Sequence, residues 1–284
     1  SRELLNNSLL TKSPMKHLTI NSVLACVLAS SLCAQDAVVS YNASDLALGD
    51  ASSLTWSPTG SSAVGAMSTS LSGGDVVAVE GYNGFDQAIS NGVFGNDVSG
   101  FNAFNGSDFT IELWVSTSDL AGRHALVELG GATDGTSLIL EGADLFFTVE
   151  DNGVSNSASY TFTSTPSDFI QIVGVTDTVN DRLDLYVDGA SVGSMVSTTF
   201  VDTIGGNFGS FSGTDTNVAR PDGSSGVFTS FDGSIALANF YDSALSEIEV
   251  MAKYNAVAVP EPGHIGMLLA GLALGAVIIR RLRQ

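Results

Sequence analysis

Phe109-Thr110-Ile111-Glu112-Leu113-Trp114-Val115 is the stretch that decides the fold. Phe109, Ile111, Leu113 and Val115 alternate with Thr110, Glu112 and Trp114, so in an extended chain the four apolar side chains share one face. That face is predicted to be core. A helix would scatter the same four around its circumference.

Working outward, short apolar segments recur between clusters of Gly, Ser, Thr, Asn and Asp, which is the pattern of an all-β sandwich. Strands are predicted at Ala125 to Leu129, Ser137 to Leu140, Leu145 to Glu150, Ser159 to Thr163 and Phe169 to Thr176. Thr178-Val179-Asn180-Asp181 then turns the chain into a strand from Arg182 to Val187. Asp188-Gly189 reads as a tight hairpin, because both central positions of a type I′ turn need positive φ. A last strand, Gly233 to Tyr241, precedes the one stretch with a helix signature. There Ser246 and Glu249 form a capping box, and Leu245 is placed to staple onto Val250. Before Gly100 the reading is less clear, although Ala37 to Tyr41 is a candidate opening strand.

These residues resemble a laminin-G-like domain of the concanavalin A-like jelly-roll superfamily. The likeness lies in Phe109 to Val115, in Ile172-Val173-Gly174-Val175 leading to Leu183-Asp184-Leu185-Tyr186-Val187-Asp188-Gly189, and in Phe231-Asp232-Gly233-Ser234-Ile235 with Phe240 to Ser246. It implies a two-sheet antiparallel jelly-roll sandwich. Where the family often carries Trp, this chain has Phe169, which is expected to take over its packing role.

The ends of the chain read differently. From Met15, Lys16 and His17 give a short basic region, Leu18 to Leu32 an apolar one and Cys33-Ala34 a small-residue exit, the layout of a secretory signal peptide. Cleavage is expected after Ala34, or alternatively at Ser31. Residues 1–14 read as an upstream extension. Val23-Leu24-Ala25-Cys26 approximates a lipidation box, but its apolar region is short, and Leu32 is too large to precede a lipidated Cys33.

At the other end, Ile265 to Ile279 is a run of fifteen uncharged residues. As a helix it spans roughly 23 Å, against ~30 Å of hydrocarbon in a bilayer. Arg280, Arg281 and Arg283 can snorkel to the headgroups and read as a cytoplasmic stop. Pro260-Glu261-Pro262, the apolar run and the arginines together resemble the PEP-CTERM sorting signal of Gram-negative envelope proteins. That resemblance implies an exosortase partner that recognises Pro260, Glu261 and Pro262 and removes the tail at the inner membrane. The expected organisation is therefore extension 1–14, signal peptide 15–34, sandwich 35–256 and sorting signal 257–284 with one transmembrane helix. The product would be tethered to the inner membrane and then placed at the cell surface or in an extracellular matrix.

Between these ends the chain is acidic. Residues 35–259 hold 28 Asp and Glu against Arg123, Arg182, Arg220 and Lys253, a formal charge of −24. Nucleic acid is excluded as a partner, because it needs a positive surface. Both cysteines, Cys26 and Cys33, fall in the signal peptide, so the remainder can form no disulfide and has no thiol nucleophile.

Catalytic signals are sparse. Retaining glycosidases on this scaffold place two carboxylates at alternate strand positions about 5 Å apart, and the Glu-x-Asp-x-x-Glu spacing that marks them does not occur. Asp181, Asp184 and Asp188 are spaced by three and four, so they cannot share one strand face; Asp181 and Asp188 read as turn residues. His124 is the single histidine between the two sorting segments, too few for a zinc site or a triad. Gly205 to Gly213 lacks the Lys and helix of a phosphate loop and reads as an inter-strand loop. Ca²⁺ is the one metal left open, through the family and the acidic loops at Asp134 and Asp151-Asn152, with no ligands assigned. Trp56 and Trp114 are the candidates for a sugar-stacking platform.

The sequence thus points to a non-catalytic exported protein whose sandwich binds glycan or exopolysaccharide of a biofilm matrix. The alternatives are a carbohydrate-active enzyme on the same fold and a passive coat protein.

Overall fold

The computed structural model describes residues 35–60, 69–94, 98–99, 107–130, 134–196, 207–208, 218–223, 228–229 and 231–258. The signal peptide, Pro260, Glu261, Pro262, the apolar run 265–279, and Arg280, Arg281 and Arg283 lie outside these residues. Among the described residues no helix is long and apolar enough to cross a membrane.

The first strands are β1 (Val39–Asn42), β2 (Gly49–Asp50), β3 (Thr55–Trp56), β4 (Thr59–Gly60), β5 (Thr69–Ala78), β6 (Gln87–Phe94) and β7 (Val98–Ser99). The middle of the chain supplies β8 (Phe109–Thr117), β9 (Arg123–Gly130), β10 (Gly135–Glu141), β11 (Asp144–Asp151) and β12 (Val154–Thr161). It closes with β13 (Ile170–Asp177), β14 (Arg182–Val187), β15 (Ala190–Val196), β16 (Asn207–Phe208), β17 (Gly233–Tyr241) and helix α1 (Glu247–Val257).

Two antiparallel sheets result. The larger runs β15-β14-β13-β8-β17-β6-β5-β2, with β1 on β17 and β3 on β5, and the smaller runs β12-β11-β10-β9-β16-β7. Phe109, Ile111, Leu113 and Val115 face the smaller sheet and meet Leu126, Leu138, Phe147 and Val149 in one buried cluster. At Gly174 on β13 a Cβ would stand 2.4 Å from the Phe147 ring of the smaller sheet, so a side chain has no room there.

The opposite face of β8 is buried as well, which the alternating pattern did not indicate. Thr110, Glu112 and Trp114 are almost fully covered. Trp114 packs among Phe85, Ala88 and Leu237 with Tyr254 of α1 alongside, while Tyr241, Leu245 and Val250 form the neighbouring cluster. A sheet covered on both faces favours apolar or hydrogen-bonded residues on each of them.

The turn chemistry is borne out. Asp188 and Gly189 have φ of 51° and 75°, as a type I′ hairpin requires. Ser246 caps α1, its hydroxyl accepting from the Glu249 amide while the Glu249 carboxylate accepts from the Ser246 amide. Strands 182–187 and 233–241 fall where they were expected. The strand expected at Ser159 to Thr163 is instead Val154–Thr161, and Thr163 belongs to the following loop. Its first half, Val-Ser-Asn-Ser-Ala, is a polar edge strand with little apolar signal to read.

Candidate functional site

One end of the sandwich carries a cleft of about 960 Å³. Three connections and a helix end build it. The 79–82 segment leaves β5 toward β6, the 162–169 segment crosses from β12 in the small sheet to β13 in the large one, the Asp188-Gly189 turn closes β14 onto β15, and Tyr254 comes from α1. Asn83 donates its backbone N–H to Val257 O at 2.9 Å, which ties the first of these loops to the end of the helix.

Aromatic rings form the floor. Tyr82 stacks on Phe85 at 4.8 Å with an 18° interplanar angle, Phe169 meets Tyr82 edge-on at 5.7 Å, and Tyr254 lies parallel to Trp114 at 5.9 Å. Phe169 also packs against Phe85 at 5.3 Å. Hydroxyls of Thr163, Ser164, Thr165 and Ser167 line the wall, and Glu80, Asp168 and Asp188 bring carboxylates. Burial raises the Asp188 carboxyl above the ordinary value, against the opposing hydrogen bond from the Gln171 amide. Burial also raises the Tyr82 phenol, with the charges of Asp168 and Asp188 adding to the effect, and raises Tyr254 with Asp188 adding.

Neither Trp56 nor Trp114 is a stacking platform. Trp56 is 0% exposed in the core and Trp114 is 1% exposed beneath Tyr254, so a sugar face cannot reach either ring. The rings left partly open at the cleft are Tyr82, Tyr160, Phe169 and Tyr254. Only Phe169 among them was singled out from sequence. The other three lie in segments without a motif, and a fold is needed to bring residues 82, 160 and 254 together.

The remaining sequence candidates serve structure. Asp184 pairs with Arg182, whose Nε lies 3.0 Å from its carboxylate. Asp181 sits at positive φ in its turn, and Asp188 Oδ1 accepts the Gln171 amide at 2.9 Å. His124 is buried, its Nε2 2.8 Å from Ala121 O. Asp134 Oδ1 accepts the Asn152 amide at 2.8 Å, and Asp151 Oδ1 accepts the Asn152 side chain at 3.0 Å, so this acidic loop holds a hairpin turn together. Among the described residues no three His, Cys, Asp or Glu side chains gather as a metal cage.

A buried carboxylate that sequence did not single out stands behind the cleft. Glu112 accepts four hydrogen bonds: Oε1 from Trp114 Nε1 at 3.1 Å and Gln171 Nε2 at 2.7 Å, and Oε2 from Asn239 Nδ2 at 3.0 Å and the Tyr241 hydroxyl at 2.6 Å. Every donor belongs to the large sheet. The network therefore fixes β8, β13 and β17 side by side beneath α1, and with them the Trp114 ring that supports Tyr254.

A family model described as the concanavalin A-like lectin/glucanases superfamily, laminin-G type, matches residues 91–251. The chain belongs to that superfamily. Its members share this sandwich, and the matched span runs from within β6 to the middle of α1. No curated protein sequence is similar to the chain. Among solved structures, the binding domain of botulinum neurotoxin DC in complex with SialylT is 9% identical with a TM-score of 0.52, covering 78% of this chain and 52% of that one. The botulinum neurotoxin serotype G binding domain is 14% identical with a TM-score of 0.50, covering 77% and 50%. The chain thus spans about half the length of these two toxin domains. The Ruminococcus gnavus sialidase CBM40 bound to α2,3-sialyllactose is 19% identical with a TM-score of 0.43, covering 52% and 83%. What the two toxin-domain likenesses establish is the fold.

Proposed function

We propose that this superfamily member is an exported, non-catalytic glycan-binding protein of a Gram-negative envelope or biofilm matrix, and that the cleft at residues 79–82, 162–169, 188 and 254 holds the sugar. The observation that carries the reading is the lining. Partly open aromatic rings offer flat apolar faces to a pyranose, while hydroxyls and carboxylates beside them accept and donate to sugar hydroxyls, the usual composition of a ligand cleft with a few convergent polar groups. Asp188 is engaged in holding the start of β13, which favours binding over acid-base chemistry at that carboxylate.

Glycan-array binding of the full-length protein tests the reading, with Tyr254→Ala expected to weaken whatever the parent binds. Chromatography of the same glycans after prolonged incubation tests the second half of it. Unchanged oligosaccharides are expected, and shortened products would favour the carbohydrate-active enzyme instead.

Export is proposed from residues 15–34 and sorting from Pro260, Glu261 and Pro262 with the apolar run and Arg280, Arg281 and Arg283. An exosortase would process the tail and release the domain from the inner membrane to the surface. Glu261→Ala is expected to leave the precursor uncleaved in the inner membrane; equal processing of variant and parent would reject that route. Ca²⁺ is kept as a ligand of the acidic loops only if chelation lowers glycan binding or stability.

A further inference from the structure

The cleft is asymmetric in charge. Glu80, Asp168 and Asp188 line it, and among the described residues no Arg, Lys or His does. The domain has no spare cation to lend. Residues 35–258 contain Arg123, Arg182, Arg220 and Lys253 as their basic residues. Arg123 and Arg220 both pair with Glu141, and Arg182 pairs with Asp184. Lys253 donates to Gln35 O and lies 4.3 Å over the Tyr241 ring, and neither Gln35 nor Tyr241 lines the cleft. His124 is buried beside Ala121 O and Phe231.

Recognition of an acidic sugar needs a cation or a converging set of donors to offset desolvation of its carboxylate. Here the incoming anion would instead meet three carboxylates, one of them half-buried in a site where screening by water is reduced. We infer that the cleft discriminates among glycans by charge: it takes sugars that are neutral or carry an amine, and turns away sialylated and other acidic chains. Glu80, Asp168 and Asp188 are the specificity-determining residues. The inference rests on the glycan-binding reading and narrows it to a ligand class.

The test uses full-length protein and matched oligosaccharides: lactose against sialyllactose, and N-acetylglucosamine oligomers against their de-N-acetylated forms. At about 50 mM salt, amine-bearing oligomers should bind at least about threefold tighter than acetylated ones and sialyllactose at least about tenfold weaker than lactose, both gaps shrinking at about 0.5 M salt as the charges are screened. The double variant Glu80→Gln, Asp168→Asn replaces two exposed side chains and should narrow both gaps, each read as a ratio within one variant so that a general loss of affinity cancels. Sialyllactose binding as tightly as lactose in the parent, with Tyr254→Ala abolishing both, would overturn the charge rule while leaving the glycan reading intact. Failure of the whole panel to bind the parent would overturn the glycan reading, and the charge rule with it.

Discussion

Glu112 on β8 accepts the phenol of Tyr241 on β17 through Oε2 at 2.6 Å, in a layer sealed between the large sheet and α1. Burial and the neighbouring Glu112 charge raise the Tyr241 phenol far above its ordinary value, so it stays a donor at any physiological pH. Strand periodicity alone makes Glu112 a solvent-facing residue. It is instead the acceptor on which three strands converge.

Removing that acceptor leaves four donors without a partner. Glu112→Ala is expected to destabilise the domain by about 3 kcal/mol or more, because orphaned buried polar groups each carry a desolvation cost. Tyr241→Phe, which removes one donor and leaves the carboxylate three, should cost about 1–2 kcal/mol. Urea denaturation followed by far-ultraviolet circular dichroism checks both, and a Glu112→Ala variant as stable as the parent would reject the role given to the network.

Gly174→Ala is expected to destabilise by about 1–3 kcal/mol through overpacking, since the added methyl meets the Phe147 ring across the core. Its backbone is ordinary strand, so the effect is one of space and not of φ. The double variant Gly174→Ala, Phe147→Leu should recover part of the loss in the same denaturation assay; no recovery would place the clash elsewhere.

The pH dependence follows from the raised Asp188 and Glu150 carboxyls. Desolvation is the leading cause in both, with the charges of Asp134 and Asp222 adding at Glu150. With folded values above the unfolded ones, the folded state holds more protons between the two. Stability therefore falls as pH rises from the ordinary carboxylate range of about 4 through the raised values. The melting temperature should be higher near pH 5 than at pH 7. Asp188→Asn keeps an oxygen for the Gln171 amide and tolerates positive φ, so it should match or exceed the parent at pH 7 and flatten the slope. A steeper slope in the variant would contradict this assignment.

Both tryptophans are enclosed, so native emission should be blue-shifted and weakly quenched by acrylamide. Denaturation should red-shift it and open both rings to the quencher. A native protein quenched as readily as free indole would mean that Trp114 is open at the cleft after all.

Legibility from sequence followed the range over which each signal acts. The strand from Phe109, the hairpin at Asp188-Gly189 and the capped helix after Ser246 are written in neighbours a few residues apart, and all three stand in the structure. β5 and β6 were not read, because Thr69–Ala78 carries Gly73, Gly74 and two serines in place of a clean alternation, and its irregular register with β6 has to be imposed by pairing. The cleft was illegible for a related reason. Its rings come from residues 82, 160, 169 and 254, on four separate elements.

By itself the sequence determined what local chemistry can determine: an all-β sandwich with its principal turns, an acidic body with four Arg and Lys residues, and two apolar ends. Tertiary structure alone decided which residues without a motif become neighbours. It buried both faces of β8, turned Glu112 from a surface acid into a shared acceptor, hid both tryptophans, and drew four rings and three carboxylates to one end of the sandwich. The physical reason is that periodicity reports which face of a strand a residue occupies, while the layer that covers that face is set by chain segments tens to hundreds of residues away.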